Sequence, residues 1–327
     1  MSGTGGGWQR LGRVGSFDGM GPWAASHTAL PFLLPHPQRH SVPDRPAGDA
    51  EAGAWLFATA RDADGRSSIG RAEVSLAPQP RVVPGTAQQV LAPGSLGTFD
   101  DRGVTMSCLV VQGGVQWLYY TGWMLGVTVP FYLGIGLAVS DDDGRTFRRV
   151  SRAPVLERTD AEPFLTASPC VLVEEGRWRM WYVTGTAWEM ANGQPRHRYH
   201  IRYAESSDGV EWRRHERPCL DYATASEYAF GRPCVRHEGG QYRMWYSSRG
   251  DRYVIGYADS PDGITWTRHD DQRGLAPARE GWDSEMTAYP WVFDWRSRQY
   301  MLYNGNDYGR TGVGIAVWQD DASAPRS

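Results

Sequence analysis

The chain of 327 residues has no apolar run of about eighteen residues, the length a membrane-spanning helix needs, and no basic-then-apolar leader at its N-terminus. Both absences point to a soluble protein that is not exported. Neither sign of charge is in marked excess: 34 Lys and Arg against 37 Asp and Glu leave a formal charge of −3, which gives no electrostatic reason to expect nucleic acid or an anionic membrane as partner. There are only four cysteines. Cys108, Cys170 and Cys234 share one register of a repeated phrase and Cys219 stands alone, so the spacing argues against a disulfide or metal set and for buried thiols in a reducing, cytoplasmic compartment. Helical periodicity of any length is missing too.

What is present is a repeat. Gly-Arg-Trp-Arg-Met-Trp-Tyr ends at Tyr182 and Gly-Gln-Tyr-Arg-Met-Trp-Tyr at Tyr246, with related phrases ending at Tyr120 and Tyr303 and a weaker one around Phe57. The steps between these residues are 63, 62, 64 and 57. A second phrase follows within the unit: IGLAVSDDDGRTF from Ile135, IRYAESSDGVEW from Ile201 and IGYADSPDGITW from Ile255. Asp-Gly between alternating apolar runs is a hairpin signal, because Gly takes positive φ without steric cost. A third phrase opens the unit, at Ser107-Cys, Pro169-Cys, Pro233-Cys and Pro290-Trp. Four short antiparallel strands in each of five units predict an all-β, five-bladed β-propeller in one domain. The blades are expected at about 20-92, 93-157, 158-221, 222-277 and 278-318. The last unit lacks an outer strand, and residues 8-14, Trp8-Gln-Arg-Leu-Gly-Arg-Val, resemble the fourth strands that begin at Phe147 and Trp212, so the N-terminal strand is expected to close the last blade. A Pro-, Arg- and His-rich segment from Pro35 to Ala52 reads as a loop inside the first blade.

Alternating strands place the loops before the first strands and those between second and third strands on one face. That face carries Thr121 to Gly134 and Thr184 to His200, read as long loops with Trp123, Phe131, Trp188, His197 and Tyr199. The loops leading into the first strands each bring acid: Asp100 and Asp101, Glu162, Glu227, and Glu285, with His27 in the first blade. First strands line the central channel, so Asp101, Glu162, Glu227, Glu285, His27 and Arg232 are expected to converge at its mouth. Crowded carboxyls raise one another's pKa and can supply an acid and a base, the pair that glycosidic cleavage needs. The same acids could instead cap strands, pair with Arg102, Arg202 or Arg232, or hold a cation.

The Ser-x-Asp-Gly-x-x-Trp turns, the Met-Trp-Tyr second strands and the acid-led first strands resemble the five-bladed glycoside hydrolase superfamily of arabinanases, β-xylosidases, invertases and β-mannoside phosphorylases. The resemblance spans Trp8 to Trp318 and implies a glycoside hydrolase-like enzyme whose carboxylates stand at the starts of the first three blades. Carried over by position, Asp101 or Asp100 matches the orienting Asp and Glu162 the acid, while His27 stands where the family has an Asp. Three roles are then open. His27 serves as base, or Glu285 or Glu227 activates water, or the chain is a transferase or lyase on a sugar-like substrate. A catalytically silent propeller that binds carbohydrate or protein is the competing class. No cofactor is implied beyond a divalent cation as an alternative occupant of the channel.

Trp178, Trp181, Trp212, Trp245 and Trp266 fall at repeat positions and read as blade packing. Trp23, Trp123, Trp188, Trp282 and Tyr228 lie outside the pattern and are read, with Arg232 and Asp100, as residues that bind a sugar substrate. The sequence leaves oligomeric state, sugar and linkage open.

Overall fold

The computed structural model describes residues 6–36, 53–76 and 80–320. Most of the expected loop from Pro35 to Ala52 lies outside the described residues. The chain forms β1 (Gly7–Gly15), β2 (Ser26–Pro35), β3 (Gly53–Arg61), β4 (Ser67–Ser75), β5 (Arg81–Val82), β6 (Gln88–Leu91), β7 (Gly103–Gln112), β8 (Val115–Leu125), β9 (Phe131–Ser140) and β10 (Arg148–Arg149). It continues with β11 (Thr166–Glu174), β12 (Arg177–Ala191), β13 (Gln194–Ser206), β14 (Arg213–Arg214), β15 (Ala229–Glu238), β16 (Gln241–Arg249), β17 (Tyr253–Ser260), β18 (Thr267–Arg268), β19 (Ala288–Trp295), β20 (Arg298–Asn304) and β21 (Val313–Gln319). One α-helical turn, α1 (Asp270–Arg273), and one 3-10 turn, Asp307–Gly309, interrupt them.

Antiparallel pairing gathers the strands into five sets in chain order. The first begins with β2, β3 and β4, and the next three are β7 to β10, β11 to β14 and β15 to β18. The last set is β19, β20 and β21 with β1 added at its outer edge, Trp8 opposite Trp318 and Arg10 opposite Ala316. The first strands contact one another in cyclic order, β2 with β7, β7 with β11, β11 with β15, β15 with β19 and β19 with β2. This is a β-propeller, closed by its N-terminal strand.

Local chemistry explains each hairpin. In the Asp-Gly turns, Ser206 Oγ accepts the Gly209 N–H at 2.9 Å while Asp208 Oδ1 accepts those of Val210 and Glu211, both at 2.9 Å; Ser260 and Asp262 repeat the pattern. Two expectations are corrected. Most of Thr121 to Gly134 is strand, since β8 runs to Leu125 and β9 starts at Phe131, with only residues 126–130 between them. Thr184 to His200 is not a long loop but the extended ends of β12 and β13, which meet in a two-residue turn at Asn192 and Gly193, with φ of 51° and 75°. Asn-Gly with both φ values positive favours a tight hairpin over a loop.

The ring is held by contacts between neighbouring sets. The Sγ atoms of Cys108, Cys170 and Cys234 accept backbone N–H groups of Val171, Val235 and Val292, at 3.3, 3.3 and 3.2 Å, each in the next first strand. All four cysteines are free thiols and buried. At the seam between last and first sets, Asn304 Oδ1 accepts the Leu30 N–H at 2.9 Å, its Nδ2 donates to Thr28 O, and Phe32 packs on Trp291 with centroids 4.0 Å apart. Among the described residues no helix is long and apolar enough to cross a membrane.

Candidate functional site

A bulge repeated in four first strands builds the top of the channel. Register shifts fall at Ala29/Phe32, Ala167/Cys170, Gly231/Cys234 and Ala288/Trp291, where Pro31, Pro169, Pro233 and Pro290 have no N–H to give to the ladder. The residue before each proline is left-handed: Leu30, Ser168, Arg232 and Tyr289, with φ of 54°, 47°, 44° and 59°. Such backbone conformations are costly for non-glycine residues and gather at functional sites. Side chains of the neighbouring set satisfy most of the displaced amides, as where Thr121 Oγ1 accepts from Ser168 and Ser247 Oγ from Tyr289, both at 2.8 Å.

All four residues line one axial cavity of about 540 Å³. Its walls include Trp123 and Phe131, the hydroxyl-bearing Thr59, Thr105, Thr121 and Ser168, the tyrosines Tyr199, Tyr253, Tyr289 and Tyr308, and two histidines, His27 and His197. Four arginines complete it: Arg61, Arg102, Arg232 and Arg249. Its lining contains no Asp or Glu among the described residues.

The expected convergence of acids is therefore corrected. Of Asp101, Glu162, Glu227, Glu285 and His27, only His27 reaches the cavity. The acids are diverted because each of the second to fifth sets folds a carboxylate between a tyrosine of its second strand and an arginine of its outer strand. Glu162, 1% exposed, accepts the Tyr182 hydroxyl at 2.8 and 3.0 Å and pairs with Arg202 and Arg214 at 3.1 and 3.0 Å. Asp100 accepts from Tyr120 at 3.0 Å and from Arg149 at 2.7 Å. Asp283, which the sequence reading passed over for Glu285, accepts from Tyr303 at 2.9 Å and Arg10 at 2.8 Å. In the fourth set Asp270 takes the Tyr246 hydroxyl at 2.6 Å, and Glu227 takes both terminal nitrogens of Arg268 at 2.8 Å. Burial opposes charge on Glu227, but hydrogen bonds from Arg268, Ser248 and the Ala223 N–H prevail and hold its pKa at about 2. Asp101 instead accepts the Gly97 N–H at the rim, and Glu285 is exposed.

The proposed aromatic platforms divide as well. Trp123 lines the cavity, its Nε1 donating to Thr105 Oγ1 at 3.2 Å. Trp23 and Trp282 pack on third-strand glycines: a Cβ at Gly70 would stand 2.2 Å from the Trp23 ring, and one at Gly314 2.1 Å from that of Trp282. Trp188 packs behind the wall against Phe131, and Tyr228 is buried beneath Arg196 and Arg249. Arg232 is placed as expected, at the cavity, while Arg61, Arg102, Arg249 and Tyr253 were missed because they come from strand ends that carry no repeat motif.

The histidines of the cavity are uncharged near neutrality. Burial, then Arg61 and Arg310, lower the His27 pKa to about 4, and burial with Arg249 and Arg196 does the same to His197. Among the described residues no group of three or more His, Cys, Asp and Glu side chains is arranged to hold a metal ion.

A closed ring of antiparallel sheets with an axial cavity is the fold of propeller glycoside hydrolases, and solved structures agree. The protein BT0996, solved as a complex with RGII, superposes with a TM-score of 0.71 at 17% identity, covering 99% of this chain and 95% of that one. A glycosyl hydrolase from Bacteroides ovatus gives 0.68 at 14% identity over 99% and 96% of the two chains, and a thermostable family-43 glycoside hydrolase 0.63 at 17% over 90% and 88%. At these identities the likeness is one of fold. By sequence, the chain belongs to the family of two Mycobacterium tuberculosis proteins, Uncharacterized protein Rv1502 of strain H37Rv and Uncharacterized protein MT1551 of strain CDC 1551. Each is 39% identical over 313 residues, 96% of this chain and 99% of the relative. No family model matches the chain.

Proposed function

We propose that the protein is a glycoside hydrolase-like propeller of five blades in one domain that takes a small sugar-like ligand in its axial cavity. The observation that carries this reading is the composition of the cavity: an indole and a phenyl ring beside five aliphatic hydroxyl-bearing side chains, Thr59, Ser67, Thr105, Thr121 and Ser168. Aromatic faces suit the C–H face of a sugar ring, and hydroxyls and guanidiniums suit its oxygens. The volume falls in the range of small-molecule sites, roughly 300–1,000 Å³. The propeller glycoside hydrolases of similar fold support the sugar class.

Chemistry on that ligand is a second reading, favoured by His27. Its neutral imidazole faces the cavity, can accept a proton, and has its Nδ1 2.9 Å from Ser26 Oγ. Hydrolysis by Glu162 with Asp100 or Asp101 has no such support, since the first two are enclosed by tyrosine and arginine. The test is a screen of nitrophenyl glycosides and nucleotide sugars against wild type, Glu162→Gln and His27→Ala. Binding, and any turnover, should survive Glu162→Gln at a temperature where that variant is folded. Any turnover should be lost in His27→Ala. Turnover abolished in Glu162→Gln with unchanged melting temperature and ligand affinity would restore the carboxylate mechanism.

A further inference from the structure

The four arginines of the cavity differ from the other arginines near the channel. Arg149, Arg202, Arg214, Arg268 and Arg10 all pair with carboxylates. Arg61, Arg102, Arg232 and Arg249 form no ion pair among the described residues, although they share one lining. Arg232 is the sharpest case. It leaves the fourth set, is 1% exposed, and crosses the channel to give one nitrogen to Pro31 O at 3.0 Å and another to Met106 O at 3.2 Å, in the first and second sets. Its Nε has no hydrogen-bond partner. A guanidinium cannot lose its charge at physiological pH, and burying it without a counter-charge is strongly unfavourable. Arg249, half-buried, is walled by the rings of Tyr228, Tyr253 and Tyr308, with its Cζ 5.5, 4.9 and 5.8 Å from their centroids. Those rings shield the charge from water without cancelling it. A protein of net charge −3 thus concentrates unpaired positive charge in its axial hollow.

We infer that the ligand of this cavity is an anion: a sugar ring bearing a carboxylate or a phosphate, whose charged group sits among Arg61, Arg232 and Arg249 while the ring lies against Trp123. The inference rests on the sugar reading above for its ring and on the arginines for its charge, and the two can fail separately. Guanidinium suits either anion, since its planar fork of donors matches both carboxylate and phosphate oxygens.

The experiment is calorimetric titration of matched sets, glucose, glucuronate and glucose 6-phosphate with the galactose and mannose counterparts, and of inorganic phosphate alone. The full chain is used as wild type, Arg249→Met and Arg61→Met. Arg61 is exposed, so its variant keeps the test open if loss of Arg249 disturbs the tyrosines around it. At least one anionic sugar should bind ten-fold or more tightly than its neutral parent, and each variant should weaken the anionic sugar several-fold more than the parent, removing most of that advantage. Preference for the uronates or for the phosphates assigns the group. Neutral parents binding as tightly as their anionic forms, or an advantage that survives both variants, overturns the anion inference and leaves the sugar reading intact. Inorganic phosphate binding as tightly as any sugar phosphate, with the arginine variants weakening it, upholds the anion and overturns the sugar. No binding by any member overturns both.

Discussion

Tyr182 donates its hydroxyl to both oxygens of Glu162, and the same offset of 20 residues joins Tyr120 to Asp100 and Tyr303 to Asp283. In the second to fifth sets the tyrosine that ends the repeat phrase is thus one jaw of a clip, and an arginine two residues after the aromatic at the start of the outer strand is the other: Arg149 after Phe147, Arg214 after Trp212, Arg268 after Trp266 and Arg10 after Trp8. Removing one member weakens the compensation of its buried partners. Arg214→Met, which leaves Arg202 on Glu162, should cost about 1–3 kcal/mol of unfolding free energy, and Tyr182→Phe about 1–2 kcal/mol. Urea denaturation followed by tryptophan fluorescence reads both, and a change below about 0.5 kcal/mol in each would show that the clip holds nothing.

The clips need room, which glycine supplies. Gly136 pairs with Tyr120 across β8 and β9, and a Cβ there would stand 2.3 Å from the tyrosine ring. Gly136→Ala should therefore destabilise by about 1–3 kcal/mol or more, against a far smaller effect for Ala at an ordinary strand glycine. The measurement is the urea midpoint, and a stabilised variant would contradict the packing.

Asn304 closes the ring between last and first sets, accepting from Leu30 and donating to Thr28 O and Gly312 O. Asn304→Ala leaves two buried carbonyls and one partly buried N–H without this partner, at about 1–3 kcal/mol for each buried group before relaxation. Limited proteolysis should then cut first near this seam. Cleavage that begins at the junction of β10 and β11 would place the weak point elsewhere.

Acid should weaken the fold in two stages. His27 and His197 have pKa values lowered to about 4, so the unfolded chain, with histidine near 6.5, binds protons that the folded chain refuses. Their contribution is complete above about pH 6.5 and is lost as pH falls toward 4. Glu227, held at about 2, contributes stability above the unfolded carboxyl value of about 4.3 that disappears as pH falls through about 2. Urea midpoints should decline from pH 6.5 downward, and His197→Phe should flatten the upper stage. A midpoint unchanged between pH 7 and pH 4 would contradict the histidine burial.

The sheet architecture was legible because its signals are local. Asp-Gly turns, tyrosine-ending phrases and the likeness of residues 8-14 to the outer strands each report a hairpin or an edge, and the pairing of β1 with β21 follows that likeness. The site was less legible, because whether an acid points to the axis or into its own sheet depends on a partner that arrives later in the chain. Counting did hold the distinction. Asp100, Glu162 and Asp283 all stand seven residues before the matched positions Ser107, Pro169 and Pro290, whereas Asp101 and Glu285 break that register. In the fourth set Ser226 occupies the place, and Asp270 takes over the tyrosine from beyond the outer strand. The cationic lining was hidden because Arg61, Arg102 and Arg249 sit at strand ends in sets that share no motif there, and only closure of the ring brings them together.

The most direct test of structural acids beside a cationic cavity is a double-mutant cycle in urea on Asp100→Asn and Arg149→Met. The expected result is a coupling of about 1–3 kcal/mol between the two, with sugar binding at the cavity unchanged in Asp100→Asn. Additive stabilities, with binding or turnover lost in Asp100→Asn alone, would return the acid to the site and contradict the assignment.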